Sequence, residues 1–324
     1  MVICVKVPRR RGEEARRLLR DLGIIDKAYR IFSDNDYVYI PIRGEAVEIL
    51  SRYSWIEIVD CSPPPRRKRR TVVLPSHDLV GDVVIIRENV FEQPGINIDS
   101  IVSGFREIYP GIRAIYVKTR TIGDYRVPEL RLLWGERVEK TIRKEYGLRF
   151  VVYLGKVYYN PRLSEEHHRI AEMVKDGERV IDVFAGIGGF SIHIASMHDS
   201  IVIANDLNPD AYTSIIENIL LNKKRLRGRI GVLNMDARSL PHYFRRGVFD
   251  RCIANLPHNS FSFMDVYHYL LRKNGILHLY YVGKTCDDYD AEKLEGWRLE
   301  GCSRVLDYAP YIYIYRLDLV KIEE

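Results

Sequence analysis

An apolar run, Val180 to Asp182, leads into Val183-Phe184-Ala185-Gly186-Ile187-Gly188-Gly189 and then an apolar stretch from Phe190. This reads as a strand, a small-residue turn and a helix. Glycines let a backbone approach a ligand and take φ values that other residues resist. Such a turn at the carboxyl end of a parallel sheet can cradle a nucleotide-like group. The spacing Asp-x-Phe-x-Gly-x-Gly differs from the Gly-x-Gly-x-x-Gly of dinucleotide binders and lacks a P-loop Gly-Lys-Ser/Thr. An acid ahead of the turn suits a cationic or amine-bearing cofactor better than a pyrophosphate. S-adenosylmethionine, with a positive amino group and a positive sulfonium, has that character. Gly-rich turns often just join strand to helix, so the elements around this one decide the reading.

Those elements repeat. A second strand, 201–209, carries Asp206-Leu207 near its end, an acid about 20 residues past the turn, where ribose hydroxyls would donate to it. A third strand, 230–235, ends at Asp236-Ala237, near where an adenine edge would lie. A fourth, 249–254, ends at Asn255-Leu256-Pro257, and a fifth covers 275–283. Helical segments 190–198, 209–222 and 261–272 alternate with them. The pattern predicts an α/β class, a doubly wound Rossmann-like sheet, with polar residues at successive strand ends facing one ligand.

The chain has 324 residues, 46% of them hydrophobic, enough for two or three domains. No apolar run reaches the roughly 18 residues of a membrane span, and the N-terminus lacks a signal pattern. Five cysteines, odd in number and without Cys-x-x-Cys, indicate neither a metal site nor a disulfide framework. The expectation is a cytoplasmic protein with no metal and no membrane partner. Net charge is +6, but its distribution is uneven. Pro63-Pro64-Pro65 is followed by Arg66-Arg67-Lys68-Arg69-Arg70: a stiff linker whose cations are either solvated or grip phosphates. Lys118, Arg120, Arg126 and Arg131 recur in a β-rich segment, and Lys223, Lys224 and Arg225 form another cluster. The prolines divide the chain into a small α+β module (1–62), the linker (63–73), a second α+β module (74–155) and the sheet domain (156–324). Predicted elements are strands 2–7, 28–33, 36–42, 82–87, 112–119 and 128–135, helices 12–22, 44–52 and 97–108, and strands within 137–154.

The junction at Tyr158-Tyr159-Asn160-Pro161-Arg162-Leu163-Ser164-Glu165-Glu166-His167-His168-Arg169 has Ser164 placed as a helix N-cap. Its acids would at the least favour the helix N-terminus. Together with Asp182 to Gly188 and Asn255-Leu256-Pro257, this stretch resembles the archaeal and eukaryotic tRNA (guanine-37-N1)-methyltransferases. Gly123-Asp124-Tyr125-Arg126-Val127-Pro128-Glu129-Leu130 and Trp134-Gly135-Glu136 are similar to that family's middle domain, and the resemblance covers essentially the whole chain. It implies methyl transfer from S-adenosylmethionine to N1 of guanosine 37 in tRNA; a monomer is the expectation for the assembly. Action on a wyosine intermediate at that position is left open. Guanine N1 bears a proton, so the transfer needs a base and a donor for charge growing on O6. By motif match Glu166 is the base and Arg126 the O6 partner, while Asn255 bonds cofactor and guanine. Tyr158, Phe184, Ala185, Gly186, Gly188, Leu207, Leu256 and Pro257 would line the cofactor with Asp182, Asp206, Asp236 and Ala237. Arg162 and Arg66–Arg70 would touch RNA.

Two departures stand out. Amine-modifying methyltransferases carry Asn/Asp-Pro-Pro-aromatic where this chain has Asn255-Leu256-Pro257-His258, which favours a ring nitrogen. Many relatives have arginine where this chain has His167. Two other readings are an aminocarboxypropyl transferase of wyosine synthesis, whose members generally lack the full N-terminal module and the Asn-Leu-Pro motif, and a non-catalytic tRNA-binding protein.

Overall fold

Alternating apolar residues in the first strand bury Val5 and Val7 against Ala15 and Leu19 of the helix that follows. The computed structural model describes residues 2–64, 74–92, 97–123, 125, 127–289 and 291–323. They form two compact units, Met1–Val72 and Val73–Glu324. In the first, β1 (Val2–Pro8) is central, with β2 (Phe32–Ser33), β3 (Tyr37–Ile42) and β4 (Glu57–Cys61) in the order β2-β3-β1-β4. Helix α1 (Gly12–Asp21) and the short α2 (Val47–Leu50) complete it. Gly12 lets α1 lie close: a Cβ there would meet Val38 at 2.9 Å. The strand predicted over 28–33 contracts to two residues, and β4 was not foreseen.

The second unit opens with β5 (His77–Val80), β6 (Val83–Arg87), α3 (Ile98–Ile108), β7 (Ala114–Ile122) and β8 (Val127–Gly135). β6 and β7 are parallel across the α3 crossover, and β5 and β8 flank them antiparallel. Phe105 and Ile101 of α3 pack on Val84, Ile86, Ile115 and Val117. β9 (Lys140–Glu145) and β10 (Leu148–Tyr153) form a hairpin whose turn residues, Tyr146 and Gly147, both have positive φ, as a tight two-residue hairpin requires. The outer edge of β10 is satisfied by helix α6 (Pro209–Asn222) rather than by a strand. Asn218 accepts from Val151 N (2.7 Å) and donates to its O (3.2 Å); Asn222 does the same for Arg149 (2.9 and 2.7 Å).

The remaining elements are α4 (Ser164–Met173), β11 (Arg179–Asp182), α5 (Gly189–Met197), β12 (Ile201–Asn205), β13 (Arg229–Leu233), α7 (Leu240–Tyr243), β14 (Phe249–Ala254), α8 (Met264–Leu270), β15 (Leu271–Gly283), β16 (Trp297–Ala309) and β17 (Ile312–Lys321). They build a seven-stranded sheet in the order β13-β12-β11-β14-β15-β17-β16. The first five strands are parallel; β17 and β16 are antiparallel and were not foreseen. Adjacent residues of the central strands face opposite cores. Val180, Ile253 and Tyr280 meet α4 and α5, whereas Ile181, Cys252 and Leu279 meet α7 and α8. No helix is long and apolar enough to cross a membrane among the described residues.

The reading that the cysteines form no disulfides is overturned. Cys4 bonds Cys61 and Cys286 bonds Cys302, leaving Cys252 free and buried. Their scatter along the chain hid this: β1 pairs with β4, and β17 brings Cys302 beside the end of β15.

Candidate active site

The Gly-rich turn is pinned by the strands on either side. Val183 N donates to Ile253 O (3.0 Å) and Ala185 N to Asn205 O (2.9 Å). Gly186 (φ +56°) and Gly188 (φ +82°) are left-handed, where side chains are strained, and a Cβ on Gly186 would come within 3.3 Å of Tyr158 O. Tyr158 is thus placed against the turn. Gly186 N donates to Asp206 Oδ2 (2.7 Å), and Asp206 Oδ1 accepts from Asn208 N (2.9 Å). Asp182 is wholly buried; its Oδ2 accepts from the Ser191 hydroxyl (2.8 Å), and its Oδ1 has no partner. Burial pushes Asp182 up to about 7, and the Asp206 charge adds to the push; burial raises Asp206 as well. A buried acid with an orphan oxygen, pushed up by its burial and by the neighbouring Asp206 charge, makes a seat that a cation would relieve.

Phe184 stands edge-on to Phe263 (5.2 Å), whose ring carries the Arg238 guanidinium at 4.7 Å. Leu207 is exposed, and Ala237 is buried. Asp236 Oδ1 accepts from Arg238 N (2.9 Å) and caps the short turn there. Asn255 lies just past β14, two residues beyond Ile253, the β14 neighbour of Asp182. Ser260 closes the Asn255-Leu256-Pro257 segment, donating to Ala254 O and Leu256 O (both 2.9 Å), and Pro257 O accepts from Val282 N (3.1 Å). The strand ends therefore bring Asp182, Gly186, Gly188, Asp206 and Asn255 to one sheet edge. Arg126 and Arg66–Arg70 lie outside the described residues.

The start of α4 differs from expectation. A single helical turn, Pro161–Leu163, precedes it, and the capping side chain is Asn160, which accepts from Arg162 N (3.1 Å); Ser164 already lies within the helix. Arg162 reaches Asp78 (2.9 Å), so its guanidinium is engaged within the protein. Glu166 is buried. Its Oε1 accepts from the Tyr280 hydroxyl (2.8 Å) and from Arg316 (2.6 Å), and its Oε2 faces Arg169 at 3.3 Å. Arg316 also grips Asp318 through two bonds (2.8 and 2.9 Å). Asp318 bonds His278 Nδ1 (2.6 Å), and the other ring nitrogen accepts from Arg251, which pairs with Glu178. An acceptor role at Nε2 puts the proton on Nδ1. Burial lowers the His278 value, so the ring stays neutral; His278 and Arg316 in turn hold Asp318 at about 2, against the effect of its own burial. Glu166 ends a buried polar chain across β14, β15 and β17, none of whose other members was singled out in the sequence.

His167 turns inward. Its Nδ1 bonds Glu145 Oε2 (2.9 Å), which also bonds His193 Nε2 (3.2 Å), while Tyr159 donates to Oε1 (2.6 Å). Burial pushes the Glu145 carboxyl up, but these partners outweigh it and keep it well below the usual carboxylate range. The donor atoms of Glu145, His167 and His193 lie within 4.8 Å of one another, yet they are satisfied by direct hydrogen bonds. The cluster ties the β9–β10 hairpin to α4 and α5. Gly189 makes room for it: a Cβ would sit 2.4 Å from the His167 ring.

Residues 141–295 match the family model of the TRM5/TYW2 methyltransferase domain, and residues 4–50 match that of the tRNA methyltransferase 5 N-terminal domain. The tRNA (guanine(37)-N(1))-methyltransferase Trm5b of Pyrococcus abyssi is 34% identical over 312 residues, 93% of this chain and 88% of its own. Among solved structures, the complex of aTrm5 with tRNALeu is 30% identical with a TM-score of 0.78, covering 99% of this chain and 100% of that one. Methanocaldococcus jannaschii Trm5 in complex with adenosine is 28% identical with a TM-score of 0.63, covering 99% and 100%.

Proposed function

The chain belongs to the Trm5 family of tRNA methyltransferases, and we propose that it methylates N1 of guanosine 37 in tRNA using S-adenosylmethionine. The observation that carries the reading is the acid pair at the Gly-rich turn: Asp182 with an unpartnered buried oxygen, and Asp206 beside it. These residues fit a ribose-bearing cofactor with an ammonium and a sulfonium centre. Asp182 would balance positive charge, Asp206 would take ribose hydroxyls, Asp236-Ala237 would border the adenine, and Tyr158, Phe184, Leu207, Leu256 and Pro257 would wall the site. When bound, the cofactor supplies an electrophilic methyl group on sulfonium. Glu166 accepts the guanine N1 proton, Arg126 donates to the developing O6 charge, and Asn255 orients the base at the strand end. Since Glu166 is held by Arg316 and Tyr280, its base role requires Oε2, on the Arg169 side, to receive the proton. Incubation with tRNA and methyl-labelled S-adenosylmethionine, followed by digestion and mass spectrometry, should yield 1-methylguanosine. An aminocarboxypropyl adduct, or no product, would refute the assignment.

In this reading the module 1–62 recognises tRNA shape. What supports this is a cleft of about 890 Å³ whose lining joins Arg9, Arg16, Arg20, Lys27, Arg30 and Arg43 with the acids Glu13 and Asp26, a set with a positive excess suited to phosphates. The linker 63–73 with Arg66–Arg70 tethers it, the module 74–155 acts beside the anticodon, and 156–324 carries the chemistry. The same reading takes the protein as a monomer of the cytoplasm. The match to the Trm5 N-terminal domain favours this reading over an aminocarboxypropyl transferase.

A further inference from the structure

The turn between β16 and β17 lies at the same sheet edge as Asp182 and Asn255. Gly283, at the carboxyl end of β15, pairs with Tyr313, and Ala309 pairs with Ile312 across the turn. At this tip Tyr311 is 83% exposed and Tyr308 is 41% exposed. Tyr308 stands edge-on to His258 at 5.0 Å, directly after Asn255-Leu256-Pro257. β16 also runs beside the Pro161–Leu163 turn that leads into the helix bearing Glu166. Just inside the tip, the Arg304 guanidinium covers the Tyr313 ring at 3.6 Å.

Tyr311 gains little from the fold. Its ring is in solvent, and its backbone is left-handed (φ +61°) at the second position of a Pro310-Tyr311 turn, where glycine or asparagine is the relaxed choice. A bulky ring held there against backbone preference points to a partner. Extruding one base from an RNA loop unstacks its neighbours, and an exposed aromatic face can replace the lost stacking without regard to base identity. We propose that the β16–β17 tip is a stacking platform for an unpaired base adjoining the target guanine: Tyr311 takes the base, and Tyr308 with His258 braces the tip against Asn255-Leu256-Pro257. This rests on the function proposed above. A nucleobase fits better than a protein side because the ring stands singly on a two-residue turn, next to the place where a base must enter.

The test uses the full-length protein, intact tRNA, and tRNA carrying 2-aminopurine on either side of guanosine 37. Tyr311→Ala should weaken tRNA binding about tenfold, the usual scale for one stacked base, with S-adenosylmethionine affinity unchanged. Tyr311→Phe should restore binding, since the ring face does the work. One 2-aminopurine position should be quenched by the wild type and not by Tyr311→Ala. Tyr311→Gly should relax the backbone, so it should melt no lower than the wild type yet bind tRNA as poorly as Tyr311→Ala. Unchanged tRNA affinity in Tyr311→Ala, or failure of Tyr311→Phe to rescue, would overturn the platform. Absence of 1-methylguanosine from the wild type would instead overturn the proposed function, so the two failures are distinct.

Discussion

Replacing Glu166 by glutamine separates a base from an anchor. The amide keeps the shape and an acceptor for Tyr280, but it loses the charge that Arg316 meets at 2.6 Å. Arg316 is not orphaned, because both bonds to Asp318 remain. The stability cost should therefore be about 1–3 kcal/mol, below the roughly 3–5 kcal/mol of leaving a buried charge unpaired. Loss of a general base should slow methyl transfer by about 10²–10⁴-fold, a barrier increase of roughly 3–5 kcal/mol. Single-turnover rates at saturating tRNA and S-adenosylmethionine measure the second quantity, and denaturant unfolding measures the first. Tyr280→Phe is the control: it removes one hydrogen bond to the same oxygen, about 1 kcal/mol, and leaves the carboxylate in place. Its rate should stay within about threefold of the wild type. If Glu166→Gln also stays within that range, or if Tyr280→Phe is as slow as Glu166→Gln, Glu166 is a structural member of the Arg316–Asp318 chain and the base lies elsewhere.

Asp182, raised to about 7 in the fold, retains a proton that the unfolded chain has already released above its ordinary value of 3.8. Stability should thus fall between about pH 4 and 7 and stay low above; Asp182→Asn should remove that slope and stabilise the protein at pH 8 by at most about 4 kcal/mol while weakening S-adenosylmethionine binding, and an unchanged pH profile would refute the assignment. Reducing the disulfides should destabilise the protein by about 4 kcal/mol for Cys4–Cys61, separated by 57 residues, and about 3 kcal/mol for Cys286–Cys302, separated by 16, on the chain-entropy account. Identical denaturation with and without reductant would contradict both figures. Gly189→Ala should displace the His167 ring from Glu145 and lower the melting temperature, whereas Gly177→Ala, whose Cβ meets nothing within 4 Å though its φ is +85°, should cost only the backbone strain. Equal losses in the two variants would show that the cluster is not what requires Gly189.

The parts of this protein that were legible in the chain depend on neighbours in sequence. Short apolar runs broken by turn residues marked β11 to β14, and apolar helical stretches marked α5 and α6, because the central strands and α5 lie between packed layers and must be apolar on more than one face whichever elements supply those layers. The Asp182-to-Gly188 turn and Asp206 were readable because strand, turn and helix follow directly, and the return to the next strand end takes about 20 residues. What escaped depends on register between distant segments. Tyr280 and Arg316 meet Glu166 across 114 and 150 residues, and nothing local to any of the three records the meeting. The same holds for Glu145 with His167 and His193, and for Cys4 with Cys61. Even a local choice could be decided from afar: Asn160 and Ser164 are both capping residue types, but the extra turn at Pro161–Leu163 gave the cap to Asn160. Local free energy selects the elements. Only packing selects which buried charges share a partner, since a buried ionic group must be satisfied by whatever residue the sheet order brings within reach.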